Sequence, residues 1–180
     1  MFAPITFLIV FLFTNSCNTD QTYVIGQSYQ GGVIAYIFQS GDAGYVSGQT
    51  HGLIAAPSDQ SPGLQWGCLG SEISGATSAY IGSGNQNTID ILNSCSVSGT
   101  AARLCGNLVL GGYNDWYLPS KDELNKLYIN KDAITGFTSN LYWSSTQNGS
   151  DEAWTQNFDN GSQASKAKSY PAYVRAVRTF

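Results

Sequence analysis

The sequence predicts an α+β fold with antiparallel sheets, two or three helices and a strand-rich C-terminal meander. Short apolar or alternating runs bounded by turn residues occupy the first third and the end of the 180-residue chain, and such runs are typical of strands. Apolar residues at helical spacing occur in the middle. Two Asn-Gly dipeptides, at 148–149 and 160–161, separate alternating segments near the C-terminus, and this pattern indicates hairpins.

The N-terminus predicts export. The apolar run at 5–13 is too short to span a bilayer as a mature helix and fits the apolar region of a signal peptide. Cys17 follows this run, in a position that resembles the acylated cysteine of bacterial lipoproteins. Two features depart from the usual signal, since no Lys or Arg precedes the run and Thr14-Asn15-Ser16 replaces the usual residues before the cysteine. Plain secretion is the alternative to lipidation.

These signals divide the chain into three parts. We expect a signal peptide at 1–16, a lipidated N-terminus and linker at 17–22, and a single domain at 23–180. The expected location is the outer membrane or the cell surface, with the lipid as the membrane contact.

The first third of the domain is predicted to be β-structure. The segments 23–29 and 32–38 read as strands, and the second is apolar enough to be buried on both faces. Segment 44–57 resembles a hairpin with Gly and His51 at its bend.

Two helices are predicted in the middle of the chain. Segment 85–96 places Ile89, Leu92 and Cys95 at helical intervals. Segment 100–110 does the same for its apolar positions, which are Ala101, Leu104, Cys105 and Leu108.

Three cysteines remain after Cys17, and in an oxidising compartment this odd number predicts one disulfide and one buried thiol. Spacing leaves the pair among Cys68, Cys95 and Cys105 open. We favour Cys68 with Cys95, because Cys105 is well explained as a small core residue of a helix. A zinc site is not expected, because the chain has no C-x-x-C and its single histidine has no second ligand nearby.

The segment 111–128 carries the densest local signals. Gly111-Gly112 is predicted to end the preceding helix, and Pro119-Ser120 to start the next one. Ser120 and Glu123 match a capping box. The buried stripe that follows consists of Leu124, Leu127 and Tyr128, and the expected exposed ion pair is Asp122 with Lys126.

Asn114 and Asp115 precede this helix and invite a ligand-binding interpretation. Their position before a helix favours turn residues that bond to nearby backbone. Trp116 and Leu118 are expected in the core. We therefore predict no metal ligand in the triplet Tyr113-Asn114-Asp115.

Near the C-terminus, the segments 141–147, 150–159 and 162–168 predict a three-stranded meander joined by type I′ turns at the Asn-Gly dipeptides. The end of the chain, 172–180, predicts one more strand carrying Arg175 and Arg178. Calcium would need several convergent oxygens. The candidate cluster is Asp151, Glu152 and Asp159 near the hairpin tips.

Several motifs carry a family resemblance. GGYNDWYLPSKDEL, YWSS, AWTQNFDNG and the terminal YVRAVR resemble the C-terminal domain family of the Legionella collagen-like protein. This bacterial surface family is similar in fold to C-type lectins, and the resemblance implies a C-type-lectin-like domain. The same core also resembles formylglycine-generating enzymes, but fold likeness does not transfer chemistry.

Composition narrows the function further. The net charge of −4 argues against a nucleic-acid partner. No G-x-S-x-G occurs and the only histidine has no partner motif, so we identify no catalytic residue and expect no enzyme. We expect a non-catalytic binding module for a glycan or protein at the cell surface, without an identified ligand surface and without a required cofactor. A structural component of the envelope is the alternative, and an enzyme of the formylglycine-generating type is the remote one.

Overall fold

The computed structural model describes residues 22–180. Its helices and strands are, in chain order, β1 (Ser28–Tyr29), β2 (Gly32–Ile37), β3 (Gly52–Ala55), β4 (Ser61–Leu64), α1 (Gly84–Ser94), α2 (Ala101–Gly106), α3 (Lys121–Ile129), α4 (Lys131–Ile134), β5 (Leu141–Asn148), β6 (Glu152–Asn157), β7 (Gln163–Ala167), β8 (Ala172–Val174) and β9 (Val177–Thr179). This arrangement confirms the predicted α+β class. The signal peptide and Cys17 lie outside the described residues.

The first sheet has the order β1-β2-β3-β9 and is antiparallel throughout. Ile34 of β2 pairs with Ile54 of β3, and both side chains are fully buried. The strand predicted at 23–29 is reduced to β1, because Gly26 adopts a positive φ of 92° and interrupts the extended backbone.

The hairpin predicted at 44–57 is wrong in its first arm. Only β3 is a strand there, and it pairs with β2. Residues 39–51 form a loop instead, in which Gly44 and Gly48 have positive φ values of 92° and 79°. The polar, glycine-rich sequence therefore makes a long connection between β2 and β3.

The second sheet has the order β4-β8-β5-β6-β7. Strands β5, β6 and β7 form the predicted antiparallel meander. The turns differ from the prediction, because Asn148 and Asn160 do not have the positive φ that a type I′ turn requires. The first connection has three residues, since Asn148 pairs with Glu152.

The C-terminal segment forms two strands where one was predicted. β8 pairs with β4 and β5 in the second sheet, and β9 pairs with β3 in the first. Arg175 lies between them and is fully buried. Its Nε donates to Asp59 Oδ1 at 2.7 Å, and its two other nitrogens donate to the carbonyls of Ala56 and Gly136. These bonds fix the chain where it crosses between the sheets.

Helix α1 confirms the predicted helix but turns a different face inward. Ile89 is 41% exposed, whereas the buried side chains include Asn87, Thr88 and Ile91. Thr88 is satisfied inside because its Oγ1 donates to Gly84 O at 2.8 Å, and Asn87 Nδ2 donates to Ser78 O at 2.7 Å. Asn87 Oδ1 has no hydrogen-bond partner within residues 22–180.

The favoured disulfide is confirmed, since Cys68 and Cys95 are bonded. Cys105 on α2 is a buried free thiol, as predicted. Lys168, also fully buried, donates from Nζ to Ser71 O at 2.7 Å and to Gln147 Oε1 at 3.1 Å. The disulfide and this lysine together hold the segment after β4 against the helices and the second sheet.

The core has two parts. One is built around Trp66, Trp116 and Trp143, and the other around Tyr117, Tyr142 and Phe158. Within residues 22–180 no helix has the length and apolar character needed to cross a membrane.

Candidate functional site

Gly111 and Gly112 do not end a helix, because α2 already stops at Gly106. They form a tight turn in which Leu110 and Tyr113 exchange backbone hydrogen bonds of 3.0 and 3.1 Å. Both glycines have positive φ, 63° and 84°, as this turn demands. A Cβ on Gly111 would lie 2.3 Å from Gly31 Cα, so glycine is also needed for the close approach of the two chain segments.

Asp115 makes its main contact far along the chain and not with the local turn. Its two carboxylate oxygens accept from Nε and Nη2 of Arg178 at 2.6 and 2.8 Å. Arg178 also donates to Gln30 Oε1 at 2.6 Å and stacks on Tyr113, 3.9 Å from the ring centre. Arg178 holds the pKa of Asp115 below its usual value.

The prediction that the side chains of Asn114 and Asp115 bond to nearby backbone is therefore wrong, and Asp115 instead ties this segment to β9 through Arg178. Asn114 is exposed, and its side chain forms no hydrogen bond within the described part of the chain. Trp116 and Leu118 are buried, as predicted. Pro119 is buried too, and its carbonyl accepts from Ser145 N at 2.8 Å.

The capping box at the start of α3 is confirmed. Ser120 Oγ accepts from Glu123 N at 3.3 Å, and Glu123 Oε2 accepts from Ser120 N at 2.8 Å. Ser120 Oγ also donates to Tyr80 O at 2.8 Å. The serine therefore both caps the helix and holds a turn that lies 40 residues earlier. Leu124 and Leu127 are buried, whereas Tyr128 is only partly so.

Glu123 is fully buried. Its Oε1 accepts from Gly82 N at 2.8 Å and faces Tyr117 Oη at 3.4 Å. Burial raises the pKa of Glu123 to about 7, against the lowering effect of its hydrogen bonds. The expected pair of Asp122 with Lys126 does not form, since the ion pairs of residues 22–180 are those of Arg175 and Arg178.

Glu123 and Ser120 thus fix the backbone of the turn at 80–82. This turn packs against the 39–51 loop, where a Cβ on Gly82 would lie 2.9 Å from Ala43. Two shallow cavities of about 360 and about 320 Å³ lie on either side of this contact. We call them together the loop groove. Their lining residues are Phe38, Ala43, Gly44, His51, Gly82, Thr179 and Phe180 in the first cavity, and Gly41, Asp42, Ala43, Tyr80, Ile81 and Asp122 in the second.

One strongly solvent-facing aromatic residue lines the loop groove, since Tyr80 is 74% exposed and lies in the second cavity. Tyr45, which follows the lining residue Gly44 in the 39–51 loop, is 40% exposed. Asp42 braces the loop, because its Oδ2 accepts from Tyr36 Oη and from Gln39 N, each at 2.8 Å. Burial, together with this bond to Asp42, raises the pKa of Tyr36 to about 12. The arrangement displays aromatic faces on loops that a rigid scaffold positions.

The ionisable lining of the loop groove consists of acids and one histidine. Asp42 and Asp122 line the second cavity, and neither cavity is lined by Lys or Arg. His51 contacts Phe180 O through Nδ1 at 3.1 Å and Gln49 Oε1 through Nε2 at 3.0 Å. The groove therefore disfavours strongly anionic ligands.

A third cavity, of about 380 Å³, lies at residues 135–139. Its aromatic residues are committed to each other, because Phe137 stacks on Phe158 with ring centres 4.5 Å apart. Lys131 Nζ donates to Phe158 O at 2.7 Å. Since these groups already have partners, we favour the loop groove as the ligand surface.

Within the described residues no group of three or more His, Cys, Asp or Glu side chains is arranged to hold a metal ion. The candidate set Asp151, Glu152 and Asp159 does not come together as such a group. Glu152 is instead bonded to Ser165 Oγ across β6 and β7.

The loop groove was not identifiable from sequence. Tyr80 and the 39–51 loop are far apart in the chain. The capping box holds the 80–82 turn that contacts this loop, but in the sequence it indicates only the start of a helix. The aromatic content of the sequence was the one signal, but it does not identify which aromatic side chains are exposed to solvent.

In a comparison with protein families, the model of the Lcl C-terminal domain matches residues 56–178. The 80–82 turn, Ser120 and Glu123 lie inside this segment, whereas the 39–51 loop precedes it. No curated protein matches the chain.

Proposed function

We propose that this chain, which belongs to the Lcl C-terminal domain family, is a non-catalytic module that binds a glycan or a protein segment at the bacterial surface. The observation that carries the proposal is the loop groove, where Tyr80 is 74% exposed beside two adjoining cavities. Exposed aromatic faces at a concave surface suit sugar rings and apolar side chains.

The charge of the groove narrows the ligand class. Asp42 and Asp122 lie in the second cavity and no Lys or Arg lines either one. Sulfated saccharides require a basic surface, so uncharged glycans and protein segments without acidic residues fit better.

The contacts of His51 support a non-catalytic role. Both ring nitrogens face oxygen atoms of Phe180 and Gln49, and no hydroxyl or thiol is among these contacts. General-base activation of a nucleophile requires such a group within hydrogen-bond reach of the base.

The binding proposal is tested on a glycan and peptide array with the purified protein, in the presence and absence of calcium. Tyr80→Ala should lose the signal of any ligand that stacks in the groove. Tyr170→Ala is the matched control, because Tyr170 is also exposed, at 41%, and does not line the groove. Failure of the wild type to bind any arrayed compound would favour the alternative that the domain is a structural component of the cell envelope.

We also propose that the chain is exported and anchored through acylated Cys17. The apolar run at 5–13 followed by this cysteine supports the proposal. Labelling cells with a fatty-acid analogue should mark the wild type, and Cys17→Ser should lose the label. An unlabelled, freely released wild-type protein would contradict anchoring.

A further inference from the structure

The two Asn-Gly-Ser segments that connect the strands of the meander differ in their surroundings. Asn148 is the last residue of β5 and Gly149 begins the connection to β6, whereas Asn160-Gly161 lies between β6 and β7. Both asparagines are exposed. The same three residues therefore occur twice in one domain, each time at the surface, which provides an internal comparison.

The backbone of Asn148 pairs with Glu152, but the side chain of Asn148 and the backbone N–H of Gly149 are loosely held. Gly149 has a φ of 79°, and a Cβ at this position would meet no atom within 4 Å. Within residues 22–180 its backbone N–H donates no hydrogen bond. The Asn148 side chain makes one long contact, from Nδ2 to Glu152 Oε2 at 3.4 Å, and its carbonyl oxygen is unbonded among the described residues.

Asn160-Gly161 is held at each reacting group. Gly161 N donates to Asn157 O at 2.9 Å, and Asn160 Oδ1 accepts from Ser162 N at 3.0 Å. Gly161 also lies against Tyr128, since a Cβ there would come within 2.5 Å of the ring. The side-chain carbonyl and the following nitrogen are therefore kept in other bonds.

We propose that Asn148 is a site of spontaneous deamidation in the folded protein and that Asn160 is protected. The deprotonated backbone nitrogen of Gly149 attacks Cγ of Asn148, a new N–C bond closes a succinimide ring, and the side-chain nitrogen leaves as ammonia. Water then adds to one of the two ring carbonyls and breaks one C–N bond, which leaves either aspartate or isoaspartate. Glycine favours this reaction because it has no side chain to hinder the approach of its nitrogen.

The product changes the hairpin tip in two ways. A new carboxylate appears three residues before Asp151 and next to the carboxylate of Glu152, where like charges repel. Isoaspartate also lengthens the main chain in a connection whose Ser150 O accepts from Gly70 N at 3.2 Å. Deamidation should therefore loosen the contact between the hairpin tip and the segment around Cys68.

The experiment is incubation of the folded wild-type protein at mildly alkaline pH, followed by peptide mass spectrometry that separates aspartate from isoaspartate. Asn148 should convert at least about tenfold faster than Asn160, because one hydrogen bond holds the side chain of Asn160 and another holds the attacking nitrogen of Gly161. An increase of about 1.4 kcal/mol in the barrier slows a reaction tenfold. In concentrated urea the two rates should become equal. Asn148→Gln should remove the product at the first site and leave the second unchanged.

Equal rates at the two asparagines in the folded protein would overturn the proposal, and so would an unmodified Asn148 under conditions in which the unfolded chain reacts. A glycan mass on Asn148 of protein isolated from cells would also overturn it, because a substituted amide is not the proposed group.

Discussion

Glu123→Gln removes a titratable group from the junction between α3 and the 80–82 turn while it keeps the size of the side chain. In the wild type, burial raises the pKa of Glu123 from 4.5 to about 7. Each unit of pKa difference corresponds to about 1.4 kcal/mol, so ionising this buried carboxyl costs the folded protein about 3 kcal/mol relative to the unfolded chain.

The sign follows from proton binding. The folded state holds the proton of Glu123 more tightly than the unfolded chain does, so the stabilisation is fully present below pH 4.5 and is lost as the pH rises through about 7. Other carboxyl groups change the stability of wild type and variant alike. The difference in free energy of unfolding between the two proteins therefore isolates Glu123.

Urea unfolding between about pH 4 and about pH 8 measures this difference. The advantage of the wild type over Glu123→Gln should shrink by about 3 kcal/mol from the lower to the higher pH. The double variant Cys68→Ser, Cys95→Ser is the control, because it destabilises the domain, keeps the titrating carboxyl and replaces none of its hydrogen-bond partners, so its pH profile should parallel that of the wild type. A constant difference between wild type and Glu123→Gln across this range would refute the reasoning.

Three further predictions concern stability, each measured by urea unfolding at neutral pH. Replacing Cys68 and Cys95 together with serine opens a loop with a sequence separation of 27 residues, which should cost about 3.5 kcal/mol; an unchanged midpoint would show that the bond contributes nothing. Trp116→Ala should cost about 3 to 5 kcal/mol because the indole is buried in the core, and a loss below that of Ser120→Ala, expected at about 0.5 to 2 kcal/mol, would contradict its placement. Asp115→Asn should cost only about 1 kcal/mol, because the carboxylate is 51% exposed and water screens its bond to Arg178; a much larger loss would mean that Arg178 depends on this partner alone.

The sequence predicted well those parts of the structure that depend on residues close together in the chain. The capping box of Ser120 and Glu123 spans one helical turn, so its two bonds depend on residues that are neighbours in the chain. The meander was predicted for the same reason, since consecutive alternating strands pair across short connections. The type I′ geometry of the first turn was predicted wrongly. An Asn-Gly pair also occurs where a three-residue connection joins two strands, as it does after Asn148.

Predictions failed where a distant partner decided the role of a residue. Asp115 reads locally as a turn residue, but Arg178, 63 positions later, takes its carboxylate. Arg175 reads as one position of a continuous strand, but its buried bonds to Asp59 and two carbonyls coincide with the break between β8 and β9. Periodicity within a segment contains no information about such partners.

The sequence by itself determined the α+β class, the family, the helix start at Ser120 and the preference for Cys68 with Cys95, because each depends on short-range pattern or on composition. Only the tertiary structure decided where the loop groove lies. From the sequence, Glu123 is recognised only as part of a helix cap. In the structure its second oxygen accepts from Gly82 N and holds the turn in which Tyr80 is exposed. The physical reason is that a buried carboxylate must find hydrogen-bond donors wherever packing brings them, and packing joins segments that the sequence keeps 41 residues apart.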